Sequence, residues 1–252
     1  MLVLCLGRAT KYARYFEALD KTYWAVMRLG MRTDTQDATG SVIEQRPVPP
    51  LSRAQLEAVL ARFQGTIAQT PPMYSAVKYH GQRLYRLARR GQTVPRPPRQ
   101  VTIKRLQLLD VRGEWLTLGV TCSKGTYIRT LCEDIGLALG CGAHLVHLQR
   151  CRVGPFRLCD AYPLDFLHRH AARERLCLPL SQALAFLPAL TLTPQQLAVL
   201  RTRQGRDLEA MVRHARVPPQ APGLRLCVGC QETVAVAYRT APERWKLQYL
   251  EA

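Results

Sequence analysis

The sequence predicts a fold that combines helices with strands and ends in a small β-rich module. Stretches with helical spacing of apolar residues alternate along the chain with β-branched and aromatic stretches typical of strands. Past Asp160 the helical pattern weakens and three short strand-like stretches follow. The length of 252 residues and the hydrophobic content of 47% allow one large domain and one small one. We place the boundary at Pro188, which gives domains over 1–187 and 188–252.

In the large domain, strands are predicted where β-branched and aromatic residues cluster: Leu2–Leu6, Tyr23–Leu29, Val42-Ile43, Val101–Val111, Trp115–Cys122 and Ala143–Gln149. Helices are predicted over Ala9–Leu19, from Ser52 to Gly65, over Arg83–Arg90, and from Ile128 to Leu139. Ser52 and Gln55 have the spacing of a capping box. Ile128, Leu131 and Ile135 recur at the spacing of one buried helix face.

In the C-terminal part, short helices are predicted after Pro179 and after Thr193-Pro194, the second closed by Gly205. Three strands follow, around Leu224–Val228, Thr233–Tyr238 and Trp245–Leu250. These strands form the predicted β-rich module.

The charge of the chain indicates a polyanionic partner. Lys and Arg total 36 against 18 Asp and Glu, which gives a formal net charge of +18. Such a field attracts nucleic acid, and arginine suits bidentate phosphate contact. The alternative is arginine favoured by a GC-rich genome on a merely solvated surface. The nine cysteines are scattered, so a reducing cytoplasm is expected, and no apolar run reaches membrane-spanning length.

The segment 71–100 differs from its surroundings because it combines prolines, basic residues and tyrosines. We interpret it as a protruding insertion that contacts RNA, since cations interleaved with aromatic rings suit phosphate contact and base stacking. A solvated charged loop is the alternative. The basic residues assigned to RNA binding are Lys78, Arg83, Arg86, Arg89 and Arg90.

Arg129 is the most informative single charge, because it lies in the first turn of a predicted helix, where the helix dipole disfavours a cation. A specific carboxylate partner would explain its position. The nearby acids have ordinary interpretations. Asp34 and Asp37 are expected to cap a turn, and Glu133 and Asp134 to be solvated.

Other chemistry has little support. No GxxxxGK[ST], GxGxxG, HExxH or GxSxG pattern occurs. Cys227-x-x-Cys230 is a lone pair that His214 could join, but a strand with alternating small thiols is the preferred interpretation. No metal site is predicted.

Several longer motifs occur in order: LGRATKY at 6–12, DKTYWAVMRLGMRTDTQDATG at 20–40, PPMYSAVKYHGQRLYRLARRG at 71–91, CSKGTYIRT at 122–130 and GCGAHLVHLQR at 140–150. With them, most of residues 1–160 resembles the TruB family of tRNA pseudouridine synthases. The resemblance implies an α+β pseudouridine synthase fold, with a mixed central sheet flanked by helices. By its position, the C-terminal module resembles an RNA-binding PUA domain.

The resemblance also implies a reaction, the isomerisation of uridine 55 in the tRNA T-loop to pseudouridine, without metal or organic cofactor. The implied partner is the T-arm of tRNA, bound by a cytoplasmic monomer. Arg129 would pair with a nucleophilic aspartate, and Tyr23 would stack on the uracil and assist proton removal from C5. Tyr127 and Leu148 match further pocket positions, and the insertion would close over the RNA.

In the family, the nucleophilic aspartate lies in a Gly-x-Leu-Asp-Pro loop just before a segment like Met1–Tyr12. We therefore expect that loop upstream of Met1, so that this chain lacks the nucleophile and Arg129 lacks its carboxylate. A truncated reading of the gene and a non-catalytic RNA-binding protein of the same fold both remain open.

Overall fold

The computed structural model describes residues 1–170, 173–202, 212, 221–229, 232–241 and 244–250. The chain forms two compact units. The first comprises Met1–Leu4 and Phe16–Ala161, and the second comprises Cys5–Tyr15 and Tyr162–Ala252. The predicted domains, 1–187 and 188–252, stay a prediction, and these units divide the chain at a different place.

The strands, in chain order, are β1 (Lys21–Leu29), β2 (Met31–Thr33), β3 (Val42–Gln45), β4 (Gly65–Gln69), β5 (Lys78–Tyr79), β6 (Gln82–Arg83), β7 (Arg99–Arg112), β8 (Trp115–Cys122), β9 (Ala143–Val153), β10 (Phe156–Arg157), β11 (Ala189–Leu192), β12 (Leu224–Val228), β13 (Glu232–Ala241) and β14 (Arg244–Tyr249). The α-helices are α1 (Ala13–Ala18), α2 (Arg53–Ala61), α3 (Leu84–Ala88), α4 (Ile128–Ala138), α5 (Leu164–Arg169), α6 (Leu180–Ala183) and α7 (Pro194–Thr202).

The first unit is built on a six-stranded sheet with the order β10-β9-β1-β8-β7-β4. The α+β prediction is confirmed. The described sheet, however, differs from the predicted mixed pattern, because all of its pairings are antiparallel. For one pairing the reason is local: β7 and β8 are joined by a tight hairpin turn at Gly113, and such a turn joins antiparallel neighbours.

The core of the first unit lies between this sheet and two helices. Ala25, Met27 and Leu29 are buried at alternate positions of β1, as a strand with one covered face requires. Helices α2 and α4 contribute their apolar faces to the same cluster. The predicted capping box at Ser52 and Gln55 is confirmed, and so is the buried stripe that begins at Ile128.

A glycine sets the distance between α4 and β9. A Cβ atom at Gly136 would lie 2.3 Å from the backbone nitrogen of Ala143 and 2.4 Å from its Cβ atom. Because both contacts involve backbone or the first side-chain atom, no rotamer change could relieve them. The missing side chain lets the helix that contains Arg129 lie directly against the start of the strand.

The second unit contains a four-stranded sheet with the order β11-β12-β13-β14, in which β11 pairs with β12 in parallel. Its core includes Leu200, Leu224 and Leu226. The segment Cys5–Tyr15 belongs to this unit: the Tyr12 hydroxyl donates to the Tyr249 carbonyl oxygen at 3.1 Å. The predicted C-terminal β module is present, with β11 as a strand that the sequence did not reveal.

Several local predictions are wrong. Residues 1–6 lie outside every described strand, and Leu2, Leu4 and Leu6 are exposed. In place of a helix over Ala9–Leu19, a 3-10 helix over Gly7–Tyr12 precedes α1, and Gly7 has a positive φ that ordinary helices do not contain. Gly65 begins β4 instead of ending α2, which stops at Ala61. Gly205, His214 and Cys230 lie outside the described residues.

The eight cysteines within the described ranges are free thiols. No helix in the described part of the chain has the length and apolar character needed to cross a membrane.

We predict that Gly136→Ala destabilises the protein. Helix propensity alone would favour alanine by about 1 kcal/mol, but the collision with Ala143 is worth about 3 kcal/mol. The expected net loss is about 2 kcal/mol in urea unfolding. Leu137→Ala, at an exposed position one residue further along the helix, is the control and should change stability by less than about 1 kcal/mol. A Gly136→Ala protein as stable as its parent would contradict the close packing of α4 on β9.

Candidate functional site

Arg129, at the second position of α4, is held by acceptors from three separate positions. Its Nη1 donates to Asp37 Oδ2 at 2.9 Å and to the Thr35 carbonyl oxygen at 3.4 Å. Its Nη2 donates to the Tyr74 carbonyl oxygen at 2.6 Å. We call Arg129, Asp37, Thr35 and Tyr74 the arginine cluster. The three acceptors stabilise the Arg129 guanidinium at a position that the helix dipole alone would disfavour.

The expectation that Arg129 lacks a carboxylate in this chain is wrong, because Asp37 is its partner. Asp37 was interpreted as a turn cap, and it also performs that function. Its Oδ1 accepts from the Thr39 backbone nitrogen at 3.1 Å and from the Thr35 and Thr39 hydroxyls. The sequence could not indicate the ion pair, since 92 positions separate the two residues.

These contacts determine the charge state of Asp37. Burial acts to raise the pKa of its carboxyl, but the hydrogen bonds from Thr39, Thr35 and Arg129 together outweigh burial. The pKa of Asp37 therefore lies below its ordinary value. Because Oδ1 serves the turn and Oδ2 serves Arg129, both carboxylate oxygens are engaged.

A second set of contacts ties the Asp37 loop to α4. The Thr130 hydroxyl donates to Gln36 Oε1 at 2.8 Å, and Gln36 Nε2 donates to Glu133 Oε2. Arg32 closes the network with two hydrogen bonds to Glu133 Oε1, at 3.1 and 3.0 Å. Gln36 has φ +64°, a strained value for a residue other than glycine, so these bonds hold a backbone that would otherwise relax.

The prediction that Glu133 and Asp134 are solvated acids is therefore wrong. Glu133 is 8% exposed and accepts from Arg32 and Gln36. Burial first, and then the neighbouring charge of Glu133, raise the pKa of Asp134 to about 6. The reason is that the first turns of α4 are covered by the loop of residues 33–40, which sequence spacing does not reveal. Asp34 conforms to its prediction and caps the Ser41 backbone nitrogen at 2.8 Å.

Tyr127 immediately precedes α4, and its backbone is fixed by Gln69. The Gln69 side-chain amide accepts from the Tyr127 backbone nitrogen at 2.8 Å and donates to the Tyr127 carbonyl oxygen at 3.1 Å. Gln69 is 2% exposed at the end of β4. No sequence signal pointed to it, because a glutamine at a strand end is usually solvated.

Tyr23 and Leu148 lie on neighbouring strands. Tyr23, on β1, pairs with Arg150 on β9, and Leu148 pairs with Ala25. The Arg150 guanidinium carbon lies 5.6 Å from the centroid of the Tyr23 ring. Burial raises the pKa of the Tyr23 phenol, and Arg150 acts to lower it. Leu148 is 41% exposed, so it is not the core residue that it would be taken for by itself.

Strand β9 connects the loop that carries Asp37 with the region of Tyr23 and Leu148. At one end, Leu145 exchanges backbone hydrogen bonds with Gln36 and Ala38 of the Asp37 loop. Further along the strand, Leu148 and Arg150 reach the region of Tyr23. The predicted site residues thus lie on two neighbouring strands, β1 with Tyr23 and β9 with Leu148, and at the start of α4, where Tyr127 precedes Arg129.

The basic insertion is ordered. It contains the hairpin β5-β6 and the helix α3, and Leu84 and Leu87 are buried. The five residues assigned to RNA binding are all exposed: Lys78, Arg83, Arg86, Arg89 and Arg90. Through the Tyr74 carbonyl, the start of the insertion contacts Arg129. A cation cluster on an ordered scaffold can bind a polyanion.

We predict that Asp37→Asn lowers stability at pH 7 by about 1 kcal/mol, a value reduced because both partners of the ion pair are partly exposed. The pKa of Asp37 is lower in the folded protein than in the unfolded chain. Its carboxylate therefore stabilises the fold above about pH 4, the unfolded pKa, and this stabilisation is lost as pH falls through the lowered folded pKa. Urea unfolding at pH 7 and pH 3 measures this. Asp34→Asn, in the same loop and still able to cap, is the control and should change stability equally at pH 7 and pH 3. An equal effect of Asp37→Asn at both pH values would contradict the assignment.

Comparison with known proteins places this chain in a family. Residues 1–128 match the TruB family pseudouridylate synthase N-terminal domain, and residues 129–185 match the tRNA pseudouridylate synthase B C-terminal domain. A tRNA pseudouridine synthase B of Stutzerimonas stutzeri is 49% identical over 199 residues, which are 77% of this chain and 65% of that protein. One of Francisella tularensis subsp. novicida is 52% identical over 168 residues, which are 66% of this chain and 56% of that protein. The chain thus spans less than two thirds of these relatives.

Solved structures show the same fold. A Cbf5–Nop10–Gar1 complex contains a chain that matches 98% of this one with a TM-score of 0.63 and 20% sequence identity, over 70% of its own length. An H/ACA ribonucleoprotein bound to a substrate RNA containing 2′-deoxyuridine matches 97% of this chain with a TM-score of 0.60 and 19% identity, over 68% of its own chain. The α+β fold with its C-terminal β module is therefore shared with these structures, and the matched TruB model identifies it as a pseudouridine synthase fold. On the matched domains and the identity to its relatives, the chain belongs to the TruB family of pseudouridylate synthases.

Proposed function

We propose that this chain carries the uridine-binding part of a tRNA pseudouridine synthase that isomerises uridine 55 of the T-loop. The observation that carries this proposal is the arginine cluster. It presents a fixed cation at a helix start, where an anionic nucleophile can be oriented. The name of the relatives, tRNA pseudouridine synthase B, supports tRNA as the substrate.

The proposed roles are those that the family resemblance implies. Tyr23 stacks on the target uracil and assists proton removal from C5, while Tyr127 and Leu148 line the pocket. Arg129 orients a nucleophilic aspartate. That aspartate initiates cleavage of the bond between ribose and N1, the uracil turns, and its C5 forms the new bond to the ribose.

Asp37 is not the nucleophile in this proposal. Its two oxygens are engaged by Thr39, Thr35 and Arg129, and attack on a ribose carbon would break these contacts. We assign Asp37 the role of holding Arg129, and the nucleophile to the Gly-x-Leu-Asp-Pro loop that the family resemblance puts upstream of Met1. The 252 residues contain no Leu-Asp-Pro string.

The alternative function is a non-catalytic tRNA-binding protein of the same fold. One observation favours it: within the described residues, the carboxylate seen on Arg129 is the fully engaged Asp37. For both functions, we propose that the module at 188–252 is a PUA-like RNA-binding domain and that the protein is a cytoplasmic monomer.

An activity assay with a chimaera separates the two functions. We expect residues 1–252 alone to form no pseudouridine on T-arm RNA. Joining the family's upstream segment, taken from the Stutzerimonas stutzeri relative, to residue 1 should restore pseudouridine formation. Changing the aspartate of that added segment to asparagine, as the control, should abolish it, because removing a nucleophile leaves only residual catalysis. An inactive, folded chimaera would favour the binding protein, and activity of residues 1–252 alone would refute the assigned nucleophile.

The insertion is tested by binding. We expect the triple variant Arg86→Ala, Arg89→Ala and Arg90→Ala to bind T-arm RNA more weakly. The slope of the logarithm of affinity against the logarithm of salt should become shallower by about 0.7 for each lost phosphate contact. The matched control replaces Arg53, Arg112 and Arg157, which lie in ion pairs elsewhere, with alanine and changes the net charge equally. Equal losses in the two triple variants would show that only the overall charge matters.

A further inference from the structure

Arg150 has a hydrogen-bond donor that the described protein does not use. Its Nε is buried and has no acceptor among the described residues. A buried donor without a partner is uncommon in native proteins, and a charged one is especially unfavourable. The position is well defined, because Arg150 pairs with Tyr23 across β9 and β1 and its guanidinium lies over the tyrosine ring.

The surroundings of Arg150 are positive. Lys21 lies two positions before Tyr23, and its pKa is lowered, first by burial and then by the charge of Arg150. Its ammonium is directed to the carbonyl oxygens of Glu17 and Leu19. Asp20, the adjacent acid, is paired with Lys104. None of the ion pairs of the described residues therefore neutralises Arg150, and the field there attracts an anionic or strongly polar acceptor.

We propose that Arg150 is an RNA-binding residue whose Nε donates a hydrogen bond to an oxygen of the nucleotide that stacks on Tyr23. This inference rests on the proposed function, since it takes a stacked nucleotide as the occupant. The acceptor is either a phosphate oxygen or a uracil carbonyl oxygen, both of which accept from a guanidinium. A nucleotide fits because its base meets the aromatic ring while its oxygens come within reach of the cation beside it.

The test measures binding of a T-arm stem-loop RNA to residues 1–252. Arg150→Ala should weaken binding by about tenfold to a hundredfold, the range for a lost hydrogen bond to a charged group. Arg152→Ala is the matched control, because it removes the same charge from the same strand. Arg152 is exposed, and its Nε donates to the Gly154 carbonyl oxygen, so its loss should weaken binding by less than about threefold.

Arg150→Lys keeps the charge and the aliphatic stem but lacks Nε. It should also bind at least about tenfold more weakly, and it carries the test if the alanine variant does not fold. Thermal unfolding of each variant establishes folding. If both folded Arg150 variants bind as tightly as the parent protein, the proposal is overturned. The same holds if Arg152→Ala loses as much affinity as Arg150→Ala.

A salt series identifies the acceptor. Loss of a phosphate contact reduces the slope of the logarithm of affinity against the logarithm of salt by about 0.7, as for single strands, whereas loss of a base contact leaves the slope unchanged. A T-arm with cytidine in place of uridine 55 tests the function separately. If the parent protein does not prefer uridine while Arg150→Ala still weakens binding to both RNAs, the proposed function fails and the Arg150 contact stands.

Discussion

The placement of one guanidinium, that of Arg129, organises the first unit. The side chain lies where the dipole of α4 opposes a cation, so it is stable there only because acceptors come to it from elsewhere in the chain. Asp37 and Thr35 bring the loop after β2, and Tyr74 brings the start of the basic insertion. The helix itself can hold that position because Gly136 allows it to lie against β9.

Because the chain has a surplus of positive charge, few acids are present to neutralise its cations. With 18 acids against 36 basic residues, two acids at the site, Asp37 and Glu133, each accept from more than one donor. Asp37 holds Arg129 and its own turn, and Glu133 holds Arg32 and Gln36. Arg150 has no such partner among the described residues, although it is next to Tyr23. Neutralised cations thus build the scaffold, whereas unpaired ones remain available for an anionic ligand.

The elements of the first unit were predictable where periodicity is strong. The strands from Trp115 and the helix from Ile128 were found because their apolar spacing is regular and their ends carry clear signals. The segment at 7–18 was not, because a positive φ at Gly7 and a 3-10 turn break a pattern that otherwise has helical spacing. Strand β11 was missed since four residues contain too little periodicity to detect.

The sequence by itself indicated the family and, through it, the α+β class, and it singled out Arg129 as a cation in need of a carboxylate partner, because these depend on residue types and short spacings. The tertiary structure decided which acid holds Arg129, why Glu133 is buried, and that Gln69 fixes Tyr127. It also decided that Arg150 lies on Tyr23 with an unused donor. The physical reason is that an ion pair or a desolvated atom depends on distances between segments far apart in the chain, and local sequence patterns contain no information about them.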